Sequence, residues 1–232
     1  MPRKATASKS KNLLRNDAYQ QILMAIIMGD LEPGARVDEK RLMRDFRLSL
    51  ASVRDALFRL SLEGLVERQP RVGTKIAGLG LRELQDVFEA RVLVEGQAAR
   101  LAAQRATAAD LAAIRAAYAG YEKAIEARDI RGLVTMDRAF HRALAAACKN
   151  AQIEQMAIRL HNNGARFWCF GIQRTTPERH RANIAGHLAL VDAIEKRDMD
   201  EIERLLRDVL GYYPDNRFVM FDVNAVPPRA AA

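Results

Sequence analysis

Apolar positions along the chain follow two different grammars. Up to about residue 78, short periodic stretches alternate with turns. From Leu14 to Met28 apolar residues return at helical spacing (Ala18, Ile22, Ala25, Ile26), and Gly29-Asp30 ends the run. Pro33-Gly34 marks a turn. Asp38 is suited to cap a short helix through Phe46, with Leu42 and Met43 inward. Ser49 caps the next helix, in the stretch SLASVRDALFRLSLEGLV. Its apolar stripe (Val53, Leu57, Leu60, Leu62) leaves Arg54 and Arg59 to one side, and Gly64 supplies the stop. Residues 65–68 and 74–77 then read as two short strands around a tight loop. Helix, helix, helix, hairpin is the order of a winged helix-turn-helix.

From Leu81 onward long Ala- and Leu-rich amphipathic stretches take over. The periodicity predicts helices over roughly 81–104, 108–128, 130–148, 151–170, 177–197 and 199–213. Breaks fall at Thr107, Asp129, Lys149-Asn150, Thr175-Thr176-Pro177 and Arg197-Asp198. Thr176-Pro177-Glu178 has a capping hydroxyl, a proline in the first turn and then an acid. Short connections imply antiparallel neighbours in a bundle. The expected fold class is therefore mainly α: a winged helix-turn-helix over 13–78 and an all-α antiparallel bundle over 79–213. A disordered basic leader (1–12) and an irregular tail (214–232) complete the expectation.

Composition narrows the function classes. At 232 residues and 49% hydrophobic, the chain has enough apolar surface for two cores. No apolar run reaches the roughly 18 residues that a membrane span needs. The basic start, MPRKATASKSKNLLRND, is not followed by an apolar stretch, so it does not read as a secretory signal. Cys148 and Cys169, without a C-x-x-C, indicate neither a disulfide framework nor a zinc knuckle, and a reducing cytoplasm fits them. The net charge of +8 is uneven: residues 1–78 carry 15 Lys/Arg against 9 Asp/Glu, the remainder 22 against 20. The asymmetry suggests that the N-terminal part meets a polyanion, a soluble basic surface being the alternative.

With these segments in order, the chain resembles the GntR family of bacterial transcription regulators, in its FadR-like branch with a helical ligand-binding (FCD) domain. The marks are GDLEPGARV from Gly29, Glu39 to Leu42, Ser49 with VRDAL from Val53, Leu60 with EGLV from Glu63, and Gly73 in the wing. In the second part, Glu89-Ala-Arg91 with Glu95, and Asp137-Arg-Ala-Phe-His141, resemble the branch's ligand-domain signatures. The resemblance implies a homodimer that binds a double-stranded DNA operator and responds to a small carboxylate effector.

In a helix-turn-helix the second helix enters the major groove, its N-terminal residues nearest the bases. Ser49, Leu50, Ser52 and Arg54 occupy those positions. Arg54 is suited to take guanine's two acceptors, the alternative being an ion pair with Asp55 or Glu39. Arg44 and Arg47 precede the helix and can hold the DNA backbone. Arg71, Gly73 and Lys75 form the wing, with Arg71 or Lys75 suited to phosphate or the minor groove. The family usually has Arg directly after the Ser and Pro three residues after it; here Leu50 and Ser52 stand there. Leu50 either touches a thymine methyl or packs on Phe46 or a dimer neighbour.

Asp137 and His141 are four apart, so a helix presents both on one face, a spacing suited to joint metal ligation. The resemblance adds His187 as a further ligand of a divalent metal, with Zn, Ni and Mn all chemically possible. It also implies a third histidine near residue 209, where this chain has Val209. The alternative is that these histidines are buried and hydrogen-bonded, or contact an effector directly. Arg91, by the same resemblance, faces the pocket and can pair with an effector carboxylate; an i,i+4 pair with Glu95 competes. Asn163, Arg166 and His161 are further pocket candidates. His180 reads as solvated or secondary, and Phe167 and Trp168 as core. A metal-dependent all-helical enzyme is the rival function, but no His-Glu-x-x-His or paired Glu-x-x-His motif supports it.

Overall fold

The computed structural model describes residues 3–211 except 70, 72, 173 and 174, with side chains from Asn16 onward apart from 69 and 170. The expected irregular tail at 214–232 lies outside the described residues. The described residues form ten helices and one two-stranded sheet, in two compact units that divide between Gly80 and Leu81.

The first unit contains α1 (Arg3–Met28), α2 (Glu39–Asp45), α3 (Leu50–Leu62), β1 (Val66–Gln69) and β2 (Gly73–Ile76). Helix α1 begins at Arg3, where the pattern predicts a disordered leader over 1–12. The stretch RKATASKSKN has no proline or glycine and is rich in Ala and Lys, so nothing in it breaks a helix propagated from residues 14–28. Ile22, Leu23 and Ile27 of α1 are buried, as are Leu42, Leu57, Leu60, Leu65 and Ile76, and α1 packs on α3. The strands pair antiparallel with Val66 opposite Ile76 and Glu67 opposite Lys75. The chain at 34–37 lies along the outer edge of β2: Val37 N–H donates to Thr74 O at 2.8 Å and Ile76 N–H to Ala35 O at 2.9 Å. Gly64, at φ +82°, takes the left-handed turn that carries the chain from α3 into β1.

The second unit is wholly helical: α4 (Leu81–Arg105), α5 (Ala108–Ala116), α6 (Tyr121–Glu126), α7 (Ile130–Ala147), α8 (Ala151–Ile172), α9 (Pro177–Lys196) and α10 (Met199–Leu210). Helix α7 packs on α4, α5, α6 and α8, while α10 packs on α4 and α9. The single helix predicted over 108–128 is two helices. Gly120 adopts φ +80°, a conformation an α-helix cannot contain, and the turn before it buries Tyr118. The last helix stops at Leu210 rather than at 213, capped by Gly211 at φ +64°. The caps at Thr107, Asp129, Thr176 and Asp198 accept from the first turn of their helices, which accounts for the breaks read from sequence. None of the described helices is long and apolar enough to cross a membrane.

Candidate functional site

The N-terminal unit gathers the candidate DNA-contacting residues at the α2–α3 turn, the start of α3 and the hairpin. Asp38 caps α2, accepting from Lys40 N and Arg41 N, and Ser49 caps α3, accepting from Ser52 N at 3.1 Å. Ser49 Oγ and Ser52 Oγ are 2.9 Å apart. Arg44, Arg47, Ser49, Leu50, Arg54, Arg71 and Gly73 are exposed, and Ser52 and Lys75 half-buried. Arg47 and Arg71 both take left-handed backbone conformations. Leu50 stands at the tip of α3 at 37% exposure. Arg54 Nε lies 2.9 Å from Glu39 Oε2, so the competing ion pair does form, between an exposed arginine and a half-buried carboxylate. Lys75 pairs with Glu67, directly across the strands, at 2.9 Å.

The C-terminal unit builds its polar centre from α7. The buried face of that helix carries Leu133, Val134, Asp137, Phe140, His141 and Leu144 at helical spacing, which sets two metal-ligating side chains into an apolar stripe. His187 of α9 meets them from the other side. His187 Nε2 is 3.6 Å from Asp137 Oδ1 and 3.4 Å from His141 Nε2, and His141 Nε2 is 3.8 Å from Asp137 Oδ1. Three donors around one ion at bond lengths of about 2.1 Å stand about 3.4–3.6 Å apart at tetrahedral to trigonal angles, so the triangle closes on a single cation with little movement.

The surrounding hydrogen bonds agree with that use. His187 Nδ1 is 2.8 Å from Asn183 O, and a carbonyl only accepts, so the proton sits on Nδ1 and the Nε2 lone pair faces inward. His141 Nδ1 is 2.8 Å from Glu95 Oε2, an ion-pair distance whose geometry makes no hydrogen bond. His187 Nε2 and His141 Nε2 are 3.4 Å apart, a separation at which one cation can bind both. Burial, against the attraction of Asp137, holds the His187 imidazole down at about 4, so it is neutral at physiological pH, as a ligand must be. The donor set fits a divalent metal.

Glu95 is held by Arg91, whose Nε donates to Oε1 at 2.6 Å inside the protein. Burial pushes the Glu95 carboxyl up, but Arg91 and His141 beside it outweigh that and hold it at about 2. Arg91 Nη2 also reaches His161 Nδ1 at 3.2 Å. Tyr118, placed by the α5–α6 break, donates to Asp137 Oδ1 at 3.2 Å, and burial followed by Asp137 pushes its phenol well up. A small cavity of about 20 Å³ is lined by Arg91, Asp137, His141, His161, His187 and Val209, among others. A larger one of about 500 Å³ is lined by Ile125, Arg128, Leu133, Thr176 and His180.

The structure thus brings Asp137, His141, His187 and Arg91 together, with His161 beside them. It does not bring Asn163 there. Asn163 is two residues beyond His161, about 200° round the helix, and its amide donates to Arg159 O at 3.0 Å. Arg166 is buried but does not line the small cavity, and burial lowers its guanidinium to about 10. His180 is buried rather than solvated, and Trp168 lines the small cavity while Phe167 is in the core. Tyr118 and Asn183 were missed: neither a tyrosine after a helix nor an asparagine in one carries a spacing signal.

Comparison with known proteins returns two adjoining families. The description "Bacterial regulatory proteins, gntR family" matches residues 14–76, and the FCD domain matches residues 86–211. The chain is 29% identical over 206 residues to the HTH-type transcriptional repressor GlaR of Escherichia coli (strain K12), covering 84% of this chain and 91% of that protein. It is 29% identical over 218 residues to the HTH-type transcriptional regulator LutR of Bacillus subtilis (strain 168), covering 81% and 97%. Among solved structures, E. coli McbR/YncC superposes with a TM-score of 0.75 at 22% identity, covering 85% and 93%, a likeness of fold.

Proposed function

The chain belongs to the gntR family of bacterial regulatory proteins and carries that family's FCD domain, and from this we propose that it is a transcriptional regulator whose operator affinity is set by a small carboxylate effector. The observation that carries the effector half is the buried triangle of Asp137, His141 and His187 with Arg91 on the same cavity. Asp137, His141 and His187 would hold a divalent metal (Zn, Ni or Mn), which supplies a Lewis-acidic point for the effector's carboxylate. Arg91 adds a guanidinium, part of whose donor capacity Glu95 uses. Ser49, Ser52 and Arg54 read bases in the major groove, with Leu50 against a thymine methyl. Arg44, Arg47, Arg71 and Lys75 hold phosphates, and Gly73 lets the wing approach closely.

The regulator acts in the cytoplasm as a symmetric homodimer on a palindromic operator, its half-site separation set by the dimer. An effector that prefers one arrangement of the bundle shifts the population toward it and changes operator affinity, a coupling of typically about 1–3 kcal/mol. A selection of genomic fragments on the purified protein tests this reading. One palindromic sequence should be enriched, and its affinity should change about 5- to 150-fold with a carboxylic acid related to the neighbouring genes. Enrichment without sequence preference would contradict it.

A further inference from the structure

Resting on the metal and carboxylate reading above, we propose that His161 is the residue that donates a hydrogen bond to the effector's carboxylate oxygen, in the position that Val209 leaves open. Val209 offers only methyl groups to the small cavity, so α10 contributes no ligand atom from that position. His161, from α8, lines the same cavity and is 2% exposed. Its Nδ1 lies 3.2 Å from Arg91 Nη2, and a guanidinium only donates, so Nδ1 accepts. In the neutral ring the proton is then on Nε2. That N–H has no hydrogen-bond partner among the described residues; the nearest carboxylate oxygen, Asp137 Oδ2, is 3.6 Å away.

A buried N–H without an acceptor is destabilising, and here it borders a cavity of about 20 Å³, room for one oxygen-sized group. The same tautomer prevents Nε2 from ligating a metal, because its lone pair is taken by the proton. The ring stacks on His141 with centroids 4.3 Å apart, which sets it beside the three-ligand triangle. Arg91 and His161 form one arm: Glu95 and Arg91 fix the tautomer, and His161 presents the donor.

The test uses the full chain loaded with Co²⁺ and titrated with sodium acetate, with sodium chloride at equal ionic strength as control, followed by the visible cobalt spectrum. His161→Gln keeps an acceptor for Arg91 and a donor for the cavity, whereas His161→Leu removes both. Wild type and His161→Gln should respond to acetate, and His161→Leu should need at least about 10-fold more, the value of one hydrogen bond to a charged group. Cobalt affinity should be alike in all three. An equal acetate response in His161→Leu would overturn the proposal, and so would an equal response of the wild type to chloride. Loss of cobalt from both variants would make His161 a metal ligand and also overturn it. A wild type that binds cobalt but ignores acetate would sink this proposal and spare the metal. A wild type that binds no cobalt would sink the metal reading and this one with it.

Discussion

Arg54 Nε and Glu39 Oε2 are 2.9 Å apart, so the cation best suited to read guanine is paired within its own domain before DNA arrives. Arg54 is exposed and Glu39 half-buried, and a pair near the surface contributes only about 0–1 kcal/mol, which bidentate contact with guanine exceeds. Arg54→Ala should lower operator affinity by about 1–3 kcal/mol, or about 5- to 150-fold. Glu39→Gln should raise it about 2- to 5-fold, and that gain should vanish in the Arg54→Ala background. A fluorescence anisotropy double-mutant cycle at fixed salt measures both. A gain that survives the loss of Arg54 would mean that Glu39 acts through general repulsion.

Leu50 gives a separate handle on specificity. It is 37% exposed at the tip of α3, so Leu50→Arg should change unfolding free energy by less than about 0.5 kcal/mol. The variant should prefer a different half-site, with discrimination of about 1–3 kcal/mol at the altered position. Binding selection on wild type and variant side by side reads the outcome. An unchanged consensus would remove Leu50 from the base-reading set.

Arg71, at the turn of the hairpin, should behave otherwise. Arg71→Ala should weaken binding to all sequences alike and reduce the slope of log affinity against log salt by about 0.9, the share of one phosphate. A sequence-selective loss would point to minor-groove reading instead.

In the second unit, the Arg91–Glu95 pair predicts an acid response. Glu95's carboxyl is held at about 2, below its ordinary 4.5, so its contribution to stability is complete above pH 4.5 and is lost as the pH falls toward 2. In chelator-treated protein, Glu95→Gln should flatten the fall in unfolding free energy across that window. At neutral pH the same variant should be less stable by about 3–5 kcal/mol, because Arg91 is left buried without its counter-charge. Urea unfolding at a series of pH values measures both effects, and an unchanged acid slope would refute the assignment.

Much of this was legible in the chain because its signals are local. Ser49, Thr107, Asp129, Thr176 and Asp198 act within one helical turn, so Ser49 and Thr176 read as caps and the other three as breaks. Asp137 and His141 share a face by spacing alone. What could not be read depends on rotation and partners. Periodicity cannot say that Tyr118 swings onto Asp137 after Gly120 breaks the helix. Nor can it say that His161, rather than its neighbour Asn163, faces Arg91. The choice between an ion pair and a ligand contact for Arg54 and Arg91 also lay beyond it. Both ion pairs form in the unliganded chain, as the shorter-range partner is always present.

The central claim is that the Asp137–His141–His187 triangle couples a divalent metal to DNA binding. It is tested most directly by measuring metal content and operator affinity on the same preparations, purified without a polyhistidine tag. Wild type should carry about one divalent ion per chain, as three converging ligands imply, and Asp137→Ala should carry none. Operator affinity should differ between metal-loaded and chelator-treated wild type by about 5-fold or more, and that difference should be absent in Asp137→Ala. A wild type without metal, whose operator affinity is indifferent to metal and chelator alike, would contradict the account.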